Sequence, residues 1–148
     1  MNAPSSDEIQ IRQMMADRAT AMRAGDANAV VAQYAAEIVS FDLAPPLQHL
    51  GPEVVDAAGL RAWFSGFQGP IDYEITQLHV TAGADVAFSH SLNRLTATPQ
   101  GMAQPFTLWF RSTVCLRKLG GEWLIAHQHN STPFYMDGSF RAALDLEP

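Results

Sequence analysis

The chain reads as an α+β domain in which a cone-shaped, curved antiparallel sheet wraps around three N-terminal helices. Three observations lead there. Helical periodicity is confined to the part of the chain before about Phe67. Four runs of strand character then follow without interruption: Ile71–Thr81, Val86–Thr98, Pro105–Lys118 and Glu122–Ser131. Helices first and strands afterwards mark an α+β fold rather than alternating βα units. Several of these runs exceed the usual length of about 5–6 residues, and long strands in a small sheet twist and curl. Helices covering the concave side leave an open end that side chains do not fill, so a pocket is expected there.

Each element has a local cause. Ser5 followed by Glu8 is a capping-box pattern, and Ile11, Met14, Met15, Ala19 and Met22 recur at helical spacing with Arg12, Asp17 and Arg23 opposite. The first helix is therefore placed at about Ser6–Ala24. Gly25 ends it, and Asp26 caps a second short helix through Tyr34. A short strand at Ile38–Asp42 is stopped by Pro45-Pro46. Pro52 opens a third helix that runs to about Phe67, with Gly59 inside it. Turns at Ala82-Gly83-Ala84-Asp85, Pro99-Gln100-Gly101 and Gly120-Gly121 join the four strands. Pro133–Pro148 reads as a packed C-terminal tail of a single domain spanning 1–148. Its Phe134, Tyr135 and Phe140 are too apolar to hang free and are expected over the pocket mouth or against a second subunit.

Bulk properties narrow the function classes. The 148 residues fit one domain, and 47% hydrophobic against 16% charged residues describes a globular chain. A net charge of -6 with scattered Lys and Arg argues against nucleic acid or an anionic membrane surface as partner. Cys115 is the only cysteine, which rules out an intramolecular disulfide; it reads as a packed residue. Met1–Ser6 has neither the basic nor the apolar region of a signal peptide, and no stretch reaches transmembrane length, so the cytoplasm is the default location. Low charge beside many strand positions points to a homodimer through the outer sheet face, with Trp109, Arg111, Thr113, Cys115, Gln128 and Asn130 as that face.

The chemistry-bearing residues cluster late in the chain. A tight Gly120-Gly121 turn sets Leu119 opposite Glu122, hence Val114 opposite His127 and Ser112 opposite His129. On that register both imidazoles share the apolar face of Phe106, Leu108, Phe110, Val114, Trp123 and Ile125, where they serve as acid, base or hydrogen-bond partners near neutral pH. The plainer alternative is a pair of hydrogen-bonded histidines at a core edge. A metal role needs a third ligand from Asp42, His49 or His90, none local in sequence. Asp42 ends a strand before Leu43-Ala44-Pro45-Pro46, an apolar context that suits a general base; the alternative is a turn cap. His49 reaches a cone mouth or is solvated. Asn93 orients a substrate carbonyl if its face is concave and lies in an interface if not. Arg111 is expected at the interface, opposite Asn130. Trp63, Phe64 and Phe67 close the third helix as core or pocket wall, and with the Met-rich first helix they imply an apolar, ring-shaped ligand.

Two stretches carry a family resemblance. Ala24-Gly25-Asp26, Tyr34-Ala35-Ala36-Glu37 and Ser40-Phe41-Asp42 resemble the opening of ketosteroid isomerase-like proteins. Gly121-Glu122-Trp123-Leu124-Ile125-Ala126-His127 through Ser131 resembles the closing strand of SnoaL-like domains. Both belong to the nuclear transport factor 2-like superfamily, which implies a cystatin-like cone. The resemblance puts Asp42 at the isomerases' catalytic carboxylate. It puts Arg18 at their oxyanion-hole tyrosine, where an arginine stabilises an enolate or holds a carboxylate. The expected catalytic set is Asp42, His127 and His129; the expected substrate contacts are Arg18, His49, Trp63, Phe67, Asn93 and Phe110. The implied activity is cofactor-independent acid–base chemistry on a small, apolar, carbonyl-bearing molecule, with no metal. The competing reading is a non-catalytic binding domain that uses the same pocket.

Overall fold

A computed structural model describes residues 3–148; Met1 and Asn2 of the leading segment lie outside the described residues. Four helices and six strands follow in the order α1 (Ser6–Ala24), α2 (Ala27–Val31), β1 (Tyr34–Phe41), β2 (His49–Leu50), α3 (Gly51–Val54), α4 (Ala57–Ser65), β3 (Asp72–Ala82), β4 (Val86–Ala97), β5 (Phe106–Leu119) and β6 (Glu122–Ser131). The Ser5 hydroxyl accepts the Glu8 N–H, and the Asp26 carboxylate accepts that of Ala29, so the first two helices start where their caps dictate. The expected third helix is two pieces. Asp56 interrupts it and caps α4 by accepting the Ala58 N–H. β1 begins earlier than expected, at Tyr34, and the two-residue β2 was not expected at all.

The strands form one sheet in the order β2-β1-β6-β5-β4-β3. β3 to β6 are the expected antiparallel meander, but β1 pairs with β6 in parallel, so the sheet is mixed rather than wholly antiparallel. Its curl is visible in what α1 touches. Arg12 and Arg23 of α1 donate to the Leu78 and Tyr73 carbonyls of β3, while Arg18, between them, donates to Gln128 of β6. Two strands lie between β6 and β3, so one helix meets both only because the sheet wraps around it.

Two apolar clusters fill the cone. One joins Ile11 and Met15 of α1 to Ile38, Val114, Leu116, Trp123 and Ile125. The other joins Ala19 and Met22 to Val30, Tyr73, Leu95 and Phe110. A buried polar band separates them on the inner face: Ser40, Ser89, Ser112 and Gln128, with Arg18 facing it from the helix. Along β5 the inward residues pass from Leu116 and Val114 through Ser112 to Phe110.

The β5–β6 hairpin decides which side chains reach that band. Gly120 and Gly121 both have positive φ, 58° and 84°, which the tight two-residue turn requires. Leu119 faces Glu122 as expected, and pairing runs regularly to Leu116–Ile125. There a bulge adds Ala126 to β6, and the next pairs are Cys115–His127, Val114–Gln128, Thr113–His129 and Ser112–Asn130. One extra residue reverses the alternation. Gln128 and Asn130, expected outside, turn inward. His127 and His129, expected on the apolar face, turn outward, and Arg111 faces Ser131 instead of Asn130.

Candidate functional site

A cavity of about 370 Å³ opens between the helices and the inner face of the sheet. Its apolar wall comes from Met22, Val30, Leu60, Trp63, Leu95 and Phe110, and its polar groups are Arg18, Tyr34, Ser40, Asp42, His49, Glu53, Asp56, Tyr73, Gln128 and Asn130. Among the expected contacts, Arg18, Asp42, His49, Trp63 and Phe110 therefore line it. Phe67 stays behind Trp63, with ring centroids 4.9 Å apart. Asn93 is on the concave face but is buried, giving its side-chain N–H to the Tyr73 hydroxyl at 3.2 Å.

Arg18 is the most demanding group. It lies in the apolar stripe of α1, seven residues after Ile11 and four before Met22, and only 8% of it is exposed. Its Nη2 donates to the Tyr34 hydroxyl at 2.8 Å and to Gln128 Oε1 at 2.9 Å, and the guanidinium sits 5.2 Å from the Tyr34 ring centroid. Gln128 is itself fixed, since its amide N–H donates to Ser40 Oγ at 2.9 Å. Nη1 is buried with no hydrogen-bond partner among the described residues. Burial works against the Arg18 charge, while the phenols of Tyr34 and Tyr73, which become anions at high pH, and Asp42 carry its pKa above the usual value. Burial likewise raises the Tyr73 phenol, which keeps its proton at neutral pH.

At the mouth, Asp42 accepts the Leu43 N–H at 2.8 Å and that of the Asn130 amide at 3.4 Å, both on Oδ1. It is thus a turn cap that also faces the cavity. His49 gives its Nδ1 proton to Glu53 at 2.7 Å. That bond, with Asp42 and the Ala44 carbonyl nearby, outweighs desolvation and raises the imidazole pKa. The imidazole on the cavity wall is therefore His49.

His127 and His129 do not line the cavity. They flank Phe41 on the outer face, with ring centroids 4.7 and 5.4 Å from it, and His127 Nδ1 meets the Val39 carbonyl at 2.6 Å. The sheet thereby separates them from Asp42 and His49, and no three His, Cys, Asp or Glu side chains converge as a metal-ligand set among the described residues. Phe134 and Phe140 do not reach the mouth either. They pack on each other at 6.0 Å, half or more exposed, on a turn closed by the Phe134–Ala142 bridge. Sequence reading gives Tyr34 and Tyr73 no site role and places Gln128 on the outer face; the available signal for all three was an arginine inside an apolar helical stripe, since a buried cation needs polar partners.

The mixed sheet curled around α1, with a cavity between helices and sheet, is the fold of the nuclear transport factor 2-like class. The chain belongs to the SnoaL-like domain family, whose model matches residues 11–135. A nuclear transport factor 2-like protein of unknown function from Pseudomonas putida KT2440 is 33% identical, with 99% of this chain and 100% of that one covered and a TM-score of 0.85. A ketosteroid isomerase-like protein from Erwinia carotovora atroseptica SCRI1043 is 24% identical, with 86% and 97% covered and a TM-score of 0.71. A protein from Novosphingobium aromaticivorans DSM 12444, provisionally named a scytalone dehydratase, is 16% identical, with 96% and 95% covered and a TM-score of 0.75. The last two show the fold alone. No curated protein matches the chain. Among the described residues no helix is long and apolar enough to cross a membrane.

Proposed function

We propose that this cavity carries out cofactor-independent acid–base chemistry on a small, apolar, carbonyl-bearing molecule. The observation that carries the reading is Arg18: a buried guanidinium on the cavity wall, with an unpartnered N–H and only neutral groups bonded to it. With the Tyr34 and Tyr73 hydroxyls it forms a set of donors suited to an oxygen that gains negative charge. Asp42, on the same wall, is the base. Its Oδ2 makes no hydrogen bond among the described residues and is free to take a proton from the carbon beside the carbonyl. The electrons move onto the carbonyl oxygen at the donor set, and returning the proton to the α-carbon, or to the γ-carbon of a dienolate where the substrate carries a further double bond, closes the cycle. His49, held by Glu53, supplies a second proton-carrying group at the mouth. The ketosteroid isomerase-like and scytalone dehydratase-named neighbours are in keeping with such chemistry.

The test is proton exchange at the carbon next to the carbonyl of tetralone, a bicyclic ketone, followed by NMR in heavy water. The protein should accelerate exchange over buffer, and Asp42→Asn should lower that acceleration by roughly 10²–10⁴-fold with ketone binding largely kept. Binding without acceleration in the unaltered protein would favour the second reading, a small-ligand-binding domain, which the turn-capping role of Asp42 also accommodates.

A further inference from the structure

We infer that the natural ligand is an apolar monocarboxylic acid, bound as the anion with its carboxylate seated inward on Arg18, Tyr34 and Tyr73. This concerns the same cavity but a different occupant: the carboxylate takes the donors that the acid–base reading gives to a carbonyl oxygen, so the acid is a ligand of the site and not its ketone substrate. The first argument is charge. Arg18 has no carboxylate within ion-pair distance among the described residues; its partners are a phenol oxygen and an amide oxygen, and the acid nearest in influence, Asp42, is exposed at the mouth. A ketone oxygen would occupy the donors and still leave the buried cation without a counter-ion. A carboxylate supplies the missing charge and an acceptor for the free Nη1, the two Nη2 hydrogens being spent on Tyr34 and Gln128.

The second argument is the count of donors. The Tyr34 oxygen already accepts the Arg18 N–H, and the Tyr73 oxygen accepts the Asn93 N–H. Neither hydroxyl donates to a protein group among the described residues, so both protons are available beside Arg18 Nη1. The two N–H groups of Nη1 and the two hydroxyls make four free donors, which match two oxygens each able to accept twice. The third argument is orientation. The wall formed by Met22, Val30, Leu60, Leu95 and Phe110 is apolar, while the mouth carries Asp42 and Glu53 beside His49. Those carboxylates repel a second acid group at the outer end, so a dicarboxylate is disfavoured and the single carboxylate points inward.

Calorimetric titration with naphthoate, its methyl ester and acetonaphthone tests this with one ring system and three head groups. Naphthoate should bind about tenfold or more tightly than the ester and the ketone. Arg18→Met should remove that preference. Tyr34→Phe and Tyr73→Phe should each weaken naphthoate several-fold and leave the ester unchanged; they serve as the test if the arginine variant does not fold. Ester or ketone binding as tightly as naphthoate overturns the inference, as does no binding of naphthoate, or a preference that survives in a folded Arg18→Met or in both tyrosine variants. The acid–base reading is scored separately by ketone exchange. Exchange with no carboxylate preference leaves that reading standing and this inference overturned; carboxylate preference without exchange does the reverse.

Discussion

At the scale of single residues, the His49–Glu53 pair has a checkable consequence. The Glu53 carboxylate accepts the Nδ1 proton and raises the imidazole pKa above its ordinary value of about 6.5. A raised pKa in the folded state means the pair's stabilisation is fully present below the unfolded imidazole's pKa and is lost as pH rises through the folded one. Following the His49 ring signals by NMR should give a midpoint above 6.5, and Glu53→Gln should move it down. An unchanged midpoint in that variant would remove Glu53 as the cause. Residue patterns in the sequence reveal part of this site. Asp42 is legible because a carboxylate stands out before Leu43-Ala44-Pro45-Pro46, His49 because its loop follows the first strand, and Arg18 only through the family resemblance. Tyr34 and Tyr73 are not, because a tyrosine in a strand looks like wall until its hydroxyl has a partner.

At the scale of elements, the Ser5 and Asp26 caps and the Gly120-Gly121 turn are written locally and are read correctly, whereas the Asp56 cap that divides the third helix is not. Nor is the bulge at Ala126. It has no glycine to mark it, and it lies where β6 is shared between β5 and a parallel β1 whose own register shifts between Tyr34 and Val39, partners far away in sequence. Every side chain beyond it changes face, which is why His127 and His129 are misplaced by simple alternation. Gly51 is a second element-level feature. It begins α3 against β1, and an added Cβ would stand 2.2 Å from the Ala36 carbonyl oxygen. The clash is with backbone, so no rotamer relieves it. Gly51→Ala should destabilise the fold by roughly 1–3 kcal/mol, visible as a lower urea midpoint with an unchanged slope. A midpoint equal to that of the parent would show that β1 and α3 separate easily.

At the scale of the whole molecule, the outer sheet face is organised more than solvent requires. His79, His90, Thr113, His129 and Phe41 fall in register across β3, β4, β5, β6 and β1. His79 and His90 stack at 4.9 Å, and Phe88 beside them is 49% exposed. We expect two copies to pack isologously through this face, with the two outward histidines of β6 in place of Gln128 and Asn130. Light scattering at micromolar concentration should return twice the chain mass, and Phe88→Glu should return it to one. A monomer mass for the parent would count against this face as an interface.

The parallel pairing of β1 with β6 also bears on how the protein is made. Arg18 leaves the ribosome 110 residues before Gln128, the amide that fixes it. At about 5–20 residues per second, that gap is roughly 5–20 s. Throughout it the nascent chain carries a cation on the apolar stripe of its first helix, with β6 not yet synthesised. Only with β6 in place can Gln128 meet Arg18 and Asn130 meet Asp42, so both contacts close after every other strand has been synthesised.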